Sequence, residues 1–202
     1  MSISLPNGAL VAIASGYGSA LSVTALTNAN PAVATSVAHG LTDGDIIEVT
    51  SGWSRLTNKI VKVDQLTVDT FLMMGIDSSL TSIYPAASGV GSVRKITGWI
   101  QLSQILDSSS SGGEQQFLEY QLLEADAQKR IPTFKSAAGL TFSIADDPTL
   151  AGYILASTAN DDRLPRAVRI TLPNGSVIYY NAYISLNKTP SLTVNQIMAC
   201  QA

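Results

Sequence analysis

A predicted hairpin near the carboxyl end constrains the fold more than any other segment. It reads AVRITLPNGSVIYYNA over residues 167–182, and Asn174-Gly175 favours a two-residue type I′ turn, in which both positions need positive φ. This turn predicts the pairing of Leu172 with Val177 and of Ile170 with Tyr179. One face then carries Val168, Ile170, Leu172, Val177 and Tyr179, and the other carries Arg169, Thr171, Ile178, Tyr180, Ala182 and Ile184. Because an antiparallel sheet normally exposes one polar face, we expect a helix or a neighbouring subunit to cover the second face.

The composition indicates a chain whose surface is largely covered by other subunits. Charged residues make up 13% of the 202 residues, against about 25% in a typical soluble domain. Serine and threonine supply the missing polarity without formal charge, and such a surface protects poorly against self-association when all of it meets water. The net charge of −3 argues against a protein that grips nucleic acid with its whole surface.

The sequence also narrows the possible cofactors and locations. One cysteine, Cys200, excludes an internal disulfide framework and a cysteine-rich zinc site, and the single His39 leaves little room for a histidine-based metal site. The first basic residue is Arg55, so we expect no secretory signal peptide. No run of about 20 apolar residues is present to span a membrane. We therefore predict a soluble protein made in a reducing cytoplasm, without cofactor, metal or membrane contact.

Strand patterns dominate the chain and predict one domain interrupted by a small all-β module. An opening strand at residues 8–14 is followed by turn residues and by a linker at 27–34 that is rich in Asn, Ala, Pro and Thr. Short β-type runs separated by turn signals follow at 46–49, 59–63 and 70–73. We place the inserted module at residues 26–94 and the interrupted domain at residues 1–25 and 95–202.

The second half is predicted to contain longer strands around two polar loops. Gly98–Ile105 and Leu140–Ile144 alternate as strands do. Asp107–Gly113 has no apolar side chain, which is the strongest loop signal in the chain, and Ala125–Gly139 is predicted to be a polar connection. Glu114–Leu123 is compatible with a strand or a helix, which propensity alone cannot distinguish.

One helix is predicted after residue 147. Asp147 suits the N-cap and Pro148 the first helical position, and Asn160–Asp162 is expected to end the helix. A buried stripe is predicted at helical spacing on Leu150, Tyr153, Ile154 and Ser157. Gly152 weakens this helix by about 1 kcal/mol relative to alanine.

No group of residues predicts catalysis or ligand binding. His39 could serve a hydrolase, but no G-x-S-x-G nucleophile elbow accompanies it, so a histidine at a turn is favoured. Asp43-Gly44-Asp45 resembles the start of a calcium loop without the later ligands, and Asp146-Asp147 and Asp161-Asp162 are more simply explained by the two ends of the helix. No phosphate-binding glycine loop is present. We predict that the protein is not an enzyme.

The basic cluster and the two tryptophans each allow two interpretations. The basic cluster Lys129-Arg130 with Lys135 is a solvated loop or a contact for an acidic neighbour. Trp53 and Trp99 are core or interface residues.

From Trp99 onward the chain resembles the tail tube (major tail) proteins of long-tailed, siphovirus-type bacteriophages. The resemblance rests on LEYQLLEADAQKRIPTFKSAAGLTFSIADDP, the amphipathic helix, the Pro-Asn-Gly hairpin and the closing SLNKTPSLTVNQIM. SLPNGALVAIA resembles the first strand of that fold, and residues 38–73 are similar to small β modules of phage structural proteins. The resemblance implies two packed antiparallel β-sheets, a β-sandwich or barrel, with one flanking α-helix. The inserted module would lie on the outer surface.

The resemblance also implies a function and partners. Six copies would form a ring, and stacked rings would form the hollow tail tube that conducts DNA into the host without binding it specifically. The implied partners are the chain itself, the tape measure, the terminator and the baseplate, with assembly in the host cytoplasm and a final location in the virion tail. A tube without a contractile sheath is favoured. The subunit-interface candidates are Asp107, Ser108, Gly112, Gly113, Lys129, Arg130, Lys135, Ile178, Tyr180 and Ile184.

Other functions stay open at this point. The chain could be another tail component of the same fold, such as a terminator or baseplate ring protein. It could also be a carbohydrate- or surface-binding β protein that uses Trp53 as a stacking platform. A hydrolase that uses His39 is the most distant alternative.

Overall fold

The structure, a computed structural model, describes residues 7–202, so the first three residues of the SLPNGALVAIA segment lie outside the described range. Within that range the chain forms fourteen β-strands and one α-helix, which confirms the predicted mainly β class with a single helix. The elements are β1 Leu10–Val23, β2 Ala25–Leu26, β3 Ala32–Thr35, β4 Ile46–Ser51, β5 Ile60–Gln65, β6 Thr70–Met74, β7 Gly91–Leu102, β8 Ile105–Ser111, β9 Gln115–Tyr120, β10 Lys129–Lys135, β11 Gly139–Ala145, α1 Ala151–Asp162, β12 Arg166–Thr171, β13 Val177–Ala182 and β14 Ala199–Gln201.

The described chain divides into two compact units. The first contains the described residues up to Ser103 together with Asp147–Ser185, and its nine-stranded antiparallel sheet has the order β13-β12-β1-β7-β4-β5-β6-β3-β2. The second contains Gln104–Asp146 and Leu186–Ala202, with a three-stranded sheet, β14-β11-β8, and the two-stranded ribbon β9–β10. Residues 26–94 lie within the first unit, and their assignment to an inserted module stays a prediction.

The long strands β1 and β7 are neighbours within the nine-stranded sheet. Register shifts interrupt their pairing between Ala14 and Ala20. At this point a Cβ on Gly16 would lie 2.8 Å from the Thr97 hydroxyl oxygen, and one on Gly98 would lie 2.5 Å from that of Ser15. The two glycines therefore permit a close approach of the strands at a bulge.

A large apolar core fills one part of the first unit. It is built from β1 and β3–β7 and from the turns between them, and Trp53, Leu56, Phe71 and Met73 are almost completely buried in it. The indole nitrogen of Trp53 donates to the Pro85 carbonyl oxygen at 2.8 Å. The predicted core role of Trp53 is therefore confirmed, and its burial removes it as a stacking platform for a sugar.

Helix α1 begins later than the sequence predicts, and a different face of it is buried. Its N-cap is Leu150, because Asp147 instead accepts hydrogen bonds from the Thr149 N–H at 3.1 Å and from its hydroxyl at 2.6 Å. The helix ends at Asp162, as predicted. Its buried residues are Gly152, Ala156 and Ala159, whereas Ile154 of the predicted stripe Leu150, Tyr153, Ile154 and Ser157 is exposed.

Close packing against β7 explains why the face of α1 that contains Gly152 is buried. A Cβ on Gly152 would lie 2.4 Å from the Gln101 carbonyl oxygen. The glycine that weakens the isolated helix is thus what allows the helix to lie against the strand.

The hairpin forms, but its register differs by one residue from the prediction. Ile170 pairs with Ile178 and Thr171 with Val177, because the loop has three residues, 173–175: the Gly175 N–H donates to the Leu172 carbonyl, and Gly175 has φ +83°. This is a type I turn followed by a left-handed glycine. A one-residue shift moves the whole second strand to the other face, so Ile178 and Tyr180 share a face with Val168 and Ile170, and Val177 and Tyr179 share one with Arg169 and Thr171.

The second unit corrects both loop predictions. Asp107–Gly113 is mostly strand, because β8 runs to Ser111 and pairs with β11, and the connection Ala125–Gly139 contains β10, paired with β9. Main-chain pairing does not depend on apolar side chains, which is why a serine-rich run can form an edge strand. The open choice at Glu114–Leu123 is resolved as strand β9, and β11 is found as predicted.

Candidate assembly surfaces

The β9–β10 ribbon exposes large apolar side chains along its whole length. Phe117 is 52% exposed, Phe134 69% and Leu123, in the turn, 105%. Among the described strands, β9 and β10 pair only with each other, and an isolated two-stranded ribbon is marginally stable in water. Its remaining exposed apolar residues are Leu118, Leu122 and Ile131.

Both faces of the ribbon carry apolar groups. Leu118 pairs with Ile131 on one face, and Phe117 pairs with Pro132 on the other. The predicted basic cluster lies on β10, where Lys129 and Arg130 point to opposite faces because they are adjacent in a strand.

One ion pair joins the two ribbon strands. The Arg130 guanidinium lies 2.6 Å from the Glu119 carboxylate, and both side chains are more than half exposed. Lys135 lies at the end of β10, beyond a register shift that follows Pro132.

A kink of two glycines separates the ribbon from β8. Gly112 and Gly113 have φ of +72° and +77°, in the region that favours glycine. Across the kink, the Ser136 N–H donates to the Glu114 carbonyl at 2.9 Å. The interface candidates Asp107 and Ser108 lie before this kink in β8, where the Asp107 carboxylate accepts the Ser108 N–H at 2.8 Å.

The outer strand of the hairpin forms a second candidate surface. β13 is the last strand of the nine-stranded sheet, so one of its edges has no strand partner among the described residues. Ile178 is 38% exposed and Tyr180 47%, and Ile184 follows the strand half-buried. An apolar edge strand is a template for another chain. The interface role of these residues stays a prediction.

A buried polar cluster, which sequence reasoning missed, holds β13 in place. Glu48 is 6% exposed; one carboxylate oxygen accepts the Arg94 Nε–H, and the other accepts the Asn181 amide at 2.8 Å. The Arg94 guanidinium lies 4.2 Å from the centre of the Tyr17 ring, and burial raises the pKa of Tyr17. These residues come from β4, β7, β13 and β1, which are distant in sequence, so no local pattern could have identified them.

A second part of the same sheet places an arginine over an aromatic ring. The Arg169 guanidinium lies 4.7 Å from the centre of the Trp99 ring, and the Tyr179 ring lies 6.2 Å from it. Burial raises the pKa of Tyr179, although Arg169 acts in the opposite direction.

The ring nitrogens of His39 both contact the main chain. Nδ1 accepts the Leu41 N–H at 3.0 Å, and Nε2 lies 3.1 Å from the Thr67 carbonyl oxygen. The ring is 4% exposed and packs edge-on against Phe71. This geometry fits the favoured interpretation of a histidine that closes a turn.

The carboxylates that resembled a calcium loop have structural partners. Asp43 accepts the Gln65 N–H at 2.7 Å, and Asp45 lies 2.7 Å from the Lys95 ammonium. Burial acts to raise the pKa of Asp45, but its bonds to Lys95 and to the Thr42 N–H outweigh burial and hold that pKa below its usual value. Within residues 7–202 no group of three or more His, Cys, Asp or Glu side chains could hold a metal ion.

The acidic pairs beside the helix also have local partners. Hydrogen bonds from Thr149 lower the pKa of Asp147. The Leu164 N–H and then Arg166, whose guanidinium lies 2.5 Å away, lower the pKa of Asp162. The Asp146 carboxylate lies 3.4 Å from the Cys200 sulfur.

In the described part of the chain, no helix has both the length and the apolar character needed to cross a membrane.

Comparison with known proteins identifies the family. Residues 51–202 match the model of a family described as phage tail tube protein, and this match confirms the resemblance seen in the sequence. No curated protein matches the chain. The matched segment contains the ribbon, the kink, the helix and the β12–β13 hairpin, and it begins inside residues 26–94. The chain belongs to the phage tail tube protein family and is a structural component of the phage tail.

Proposed function

We propose that six copies of this chain form a ring, and that rings stack into a hollow tube through which DNA passes into the host. The family supports a structural role in the tail. Ring formation, stacking and DNA passage are the steps added by this proposal, and they follow from surfaces that the single chain leaves uncovered.

The β9–β10 ribbon is the observation that carries the proposal. It exposes apolar side chains on both faces, and burying such area is worth about 25 cal/mol per Å². A second copy of the chain can supply the cover that the ribbon lacks. We therefore assign the interface candidates Lys129, Arg130 and Lys135, which lie on this ribbon, to contacts between copies.

Open strand edges support lateral contacts between copies. β13 and β8 each have a single strand partner among the described strands. β8 therefore offers main-chain donors and acceptors to another strand, whereas β13 also lies close to β5. Ile178, Tyr180 and Ile184 at one edge, and Asp107, Ser108, Gly112 and Gly113 at the other, would then lie at subunit boundaries.

The remaining expectations concern residues 26–94 and other tail proteins. Apart from Val23, the buried residues of the core around Trp53 and Phe71 come from the segment 26–94, as an inserted module requires; its position on the outer surface of the tube is part of this proposal. The proposed partners are the tape measure, terminator and baseplate proteins, and assembly would take place in the host cytoplasm.

Electron microscopy of the purified protein tests the proposal. The wild-type chain, concentrated alone or with other tail components, is expected to form hollow tubes. The variant Ile131→Ser/Phe134→Ser is expected to stay monomeric while its free energy of unfolding changes by less than about 0.5 kcal/mol, because both side chains are exposed in the free chain.

The matched control is Val37→Ser, which also replaces an exposed apolar residue (74% exposed) but lies in the segment 26–94. It is expected to leave the tubes intact. Monodisperse wild-type monomers under all these conditions would refute the proposal, and closed rings that never stack would favour a terminator or baseplate protein instead.

A further inference from the structure

Two small side chains on β1 allow an arginine and a tryptophan to meet on one face of the nine-stranded sheet. Ala12 pairs with Arg169 on β12, and Ala14 pairs with a residue of β7, Trp99. Paired residues point to the same side of a sheet, so the alanines leave room above β1 for the guanidinium of Arg169, which lies 4.7 Å from the centre of the Trp99 ring. Tyr179 pairs with Arg169 from β13. We call Arg169, Trp99 and Tyr179 the Arg169 platform.

Arg169 differs from the other arginines of the described strands in its lack of a carboxylate partner. Each of the others forms an ion pair: Arg94 with Glu48, Arg130 with Glu119 and Arg166 with Asp162. Within residues 7–202 the Arg169 side chain makes neither an ion pair nor a hydrogen bond, and its Nε is buried. A guanidinium that lies on an aromatic ring keeps its charge and its strong hydrogen bonds to carboxylates. The Arg169 platform therefore offers a positive charge to a carboxylate from elsewhere.

The turn between β9 and β10, residues 121–128, carries the complementary groups, and we call it the ribbon tip. The Ala125 N–H donates to the Leu122 carbonyl oxygen at 3.0 Å, so a hydrogen-bonded turn places Leu123 and Glu124 at its apex. Leu123 is 105% exposed. Glu124 is exposed as well, and among the described residues its carboxylate has no ion pair. The ribbon tip thus projects an apolar group beside an unpaired negative charge.

We infer that the ribbon tip of one copy docks on the Arg169 platform of a second copy. The Glu124 carboxylate binds the Arg169 guanidinium, and Leu123 packs against the rings of Trp99 and Tyr179. This assignment rests on the proposed function and names the surface that receives the ribbon. Charge and apolar area lie side by side on both surfaces, so a single contact neutralises the unpaired cation and removes Leu123 from water.

A contact between two different surfaces of the same chain can repeat from copy to copy. The ribbon tip and the Arg169 platform share no residue, so each copy would offer its tip to one neighbour and its platform to another. Such a contact closes into a ring or continues as a filament, whereas a self-complementary contact ends with a dimer. The docking of tip on platform is therefore the kind of contact that an assembly of many copies needs.

An exchange of charges between two chains tests the assignment. Glu124→Arg and Arg169→Glu each place like charges at the contact, and each is expected to raise the critical concentration for tube assembly at least about tenfold, measured by sedimentation and electron microscopy. An equimolar mixture of the two variants is expected to return to within about twofold of wild type, because the arginine tip of one chain then meets the glutamate platform of the other.

The matched control is Asp126→Arg, which makes the same charge change at another exposed position of the ribbon tip. It is expected to change the critical concentration by less than about twofold. An effect of Asp126→Arg as large as that of Glu124→Arg would show that any positive charge on the tip disturbs assembly, and would overturn the assignment.

Three other results would overturn the assignment. A mixture that does not assemble would show that tip and platform do not meet. Recovery in the double variant Glu124→Arg/Arg169→Glu but not in the mixture would place the contact within one chain. Binding of a DNA oligonucleotide by wild-type monomers but not by Arg169→Glu monomers would assign the platform to phosphate.

Arg169→Gln replaces Arg169→Glu if that variant does not fold. In this neutral background, Glu124→Arg should raise the critical concentration by less than about twofold relative to Arg169→Gln alone, and a persistent tenfold effect overturns the assignment. Wild-type tubes together with any of these contrary results leave the proposed function intact. A wild-type chain that forms no tubes refutes that function, and the assignment with it.

Discussion

The core around Trp53 and the β9–β10 ribbon differ in how far their apolar side chains are exposed to solvent. In the core, Trp53, Phe71 and Met73 are at most 1% exposed, and neighbouring strands and turns surround them. In the ribbon, Phe117 and Phe134 are more than half exposed, although the two regions are similar in aromatic content. The core is therefore completed by the chain itself, whereas these ribbon side chains remain exposed in the single chain.

If the proposed function holds, this difference separates the residues that stabilise the single chain from those that join copies. Side chains in the core contribute to the free energy of unfolding of the single chain, because folding removes them from water. Ribbon side chains gain little from folding and would gain from contact with another copy. Paired substitutions in the two regions can therefore distinguish the two roles.

The largest expected effect is that of Trp53→Ala. Removing this buried ring is expected to lower the free energy of unfolding by about 3–5 kcal/mol. Phe134→Ala in the ribbon is the matched variant and should change it by less than about 0.5 kcal/mol. Urea denaturation of both monomers measures the difference, and similar losses would abolish the distinction between the regions.

Two glutamate substitutions, one at a buried ion pair and one at an exposed ion pair, compare the first unit with the ribbon in the same way. Glu48→Ala removes the acceptor of Arg94 and Asn181 from a buried site and is expected to cost about 1–3 kcal/mol. Glu119→Ala removes the exposed partner of Arg130 and should cost less than about 1 kcal/mol. Thermal unfolding at equal salt checks both, and an equal cost would mean that burial of Glu48 contributes nothing.

Alanine substitutions of the two kink glycines test whether the kink constrains the neighbouring strands β8 and β11. Gly112→Ala forces alanine into a left-handed conformation, which costs about 1–2 kcal/mol, and places its Cβ 1.9 Å from the Ala137 carbonyl oxygen. Gly113→Ala has a similar φ, but its Cβ comes only within 3.7 Å of the Ala138 Cβ. Hydrogen exchange of β8 and β11 should therefore be faster in Gly112→Ala than in Gly113→Ala, and identical protection would show that the kink does not constrain these strands.

The smallest expected effect is a dependence of stability on acid pH through Asp45. Because the folded-state pKa of Asp45 lies below its usual value of 3.8, the stabilisation is fully present above the unfolded-state pKa and is lost as the pH falls through the folded-state value. Asp45→Asn should lose less stability than wild type between pH 7 and pH 3, by less than about 1 kcal/mol. Denaturation curves at both pH values measure it, and equal losses would exclude a contribution from the Lys95 pair.

Local signals in the sequence predict the strands and the helix better than they predict which side of each element is buried. The mainly β class, strand β11 and the hairpin followed from alternation and turn residues. The hairpin register did not, although the signal was present: a two-residue turn needs an N–H donor at residue 173, which is proline. In the structure the Leu172 N–H makes that bond to the Ser176 carbonyl at 2.8 Å.

Tertiary contacts account for the remaining errors. β8 was predicted to be a loop because its serines carry no apolar signal, and its partner β11 lies about thirty residues away. The buried face of α1 depends on how closely β7 approaches Gly152, and the cluster around Glu48 joins four strands. Composition could identify the polar and apolar segments that are proposed as interfaces. It could not identify which residues of another copy they would contact, because the single chain contains no such contact.

The run of serines in β8 has a consequence for the geometry of any larger assembly. Ser108–Ser111 offer no bulky side chain that would distinguish one pairing offset from the next. A strand added at this edge therefore retains its main-chain hydrogen bonds after a slip of two residues, about 6.8 Å along the strand. In the proposed tube, larger side chains elsewhere would then have to fix the offset between neighbouring copies, and the two phenylalanines of the ribbon are the first to vary.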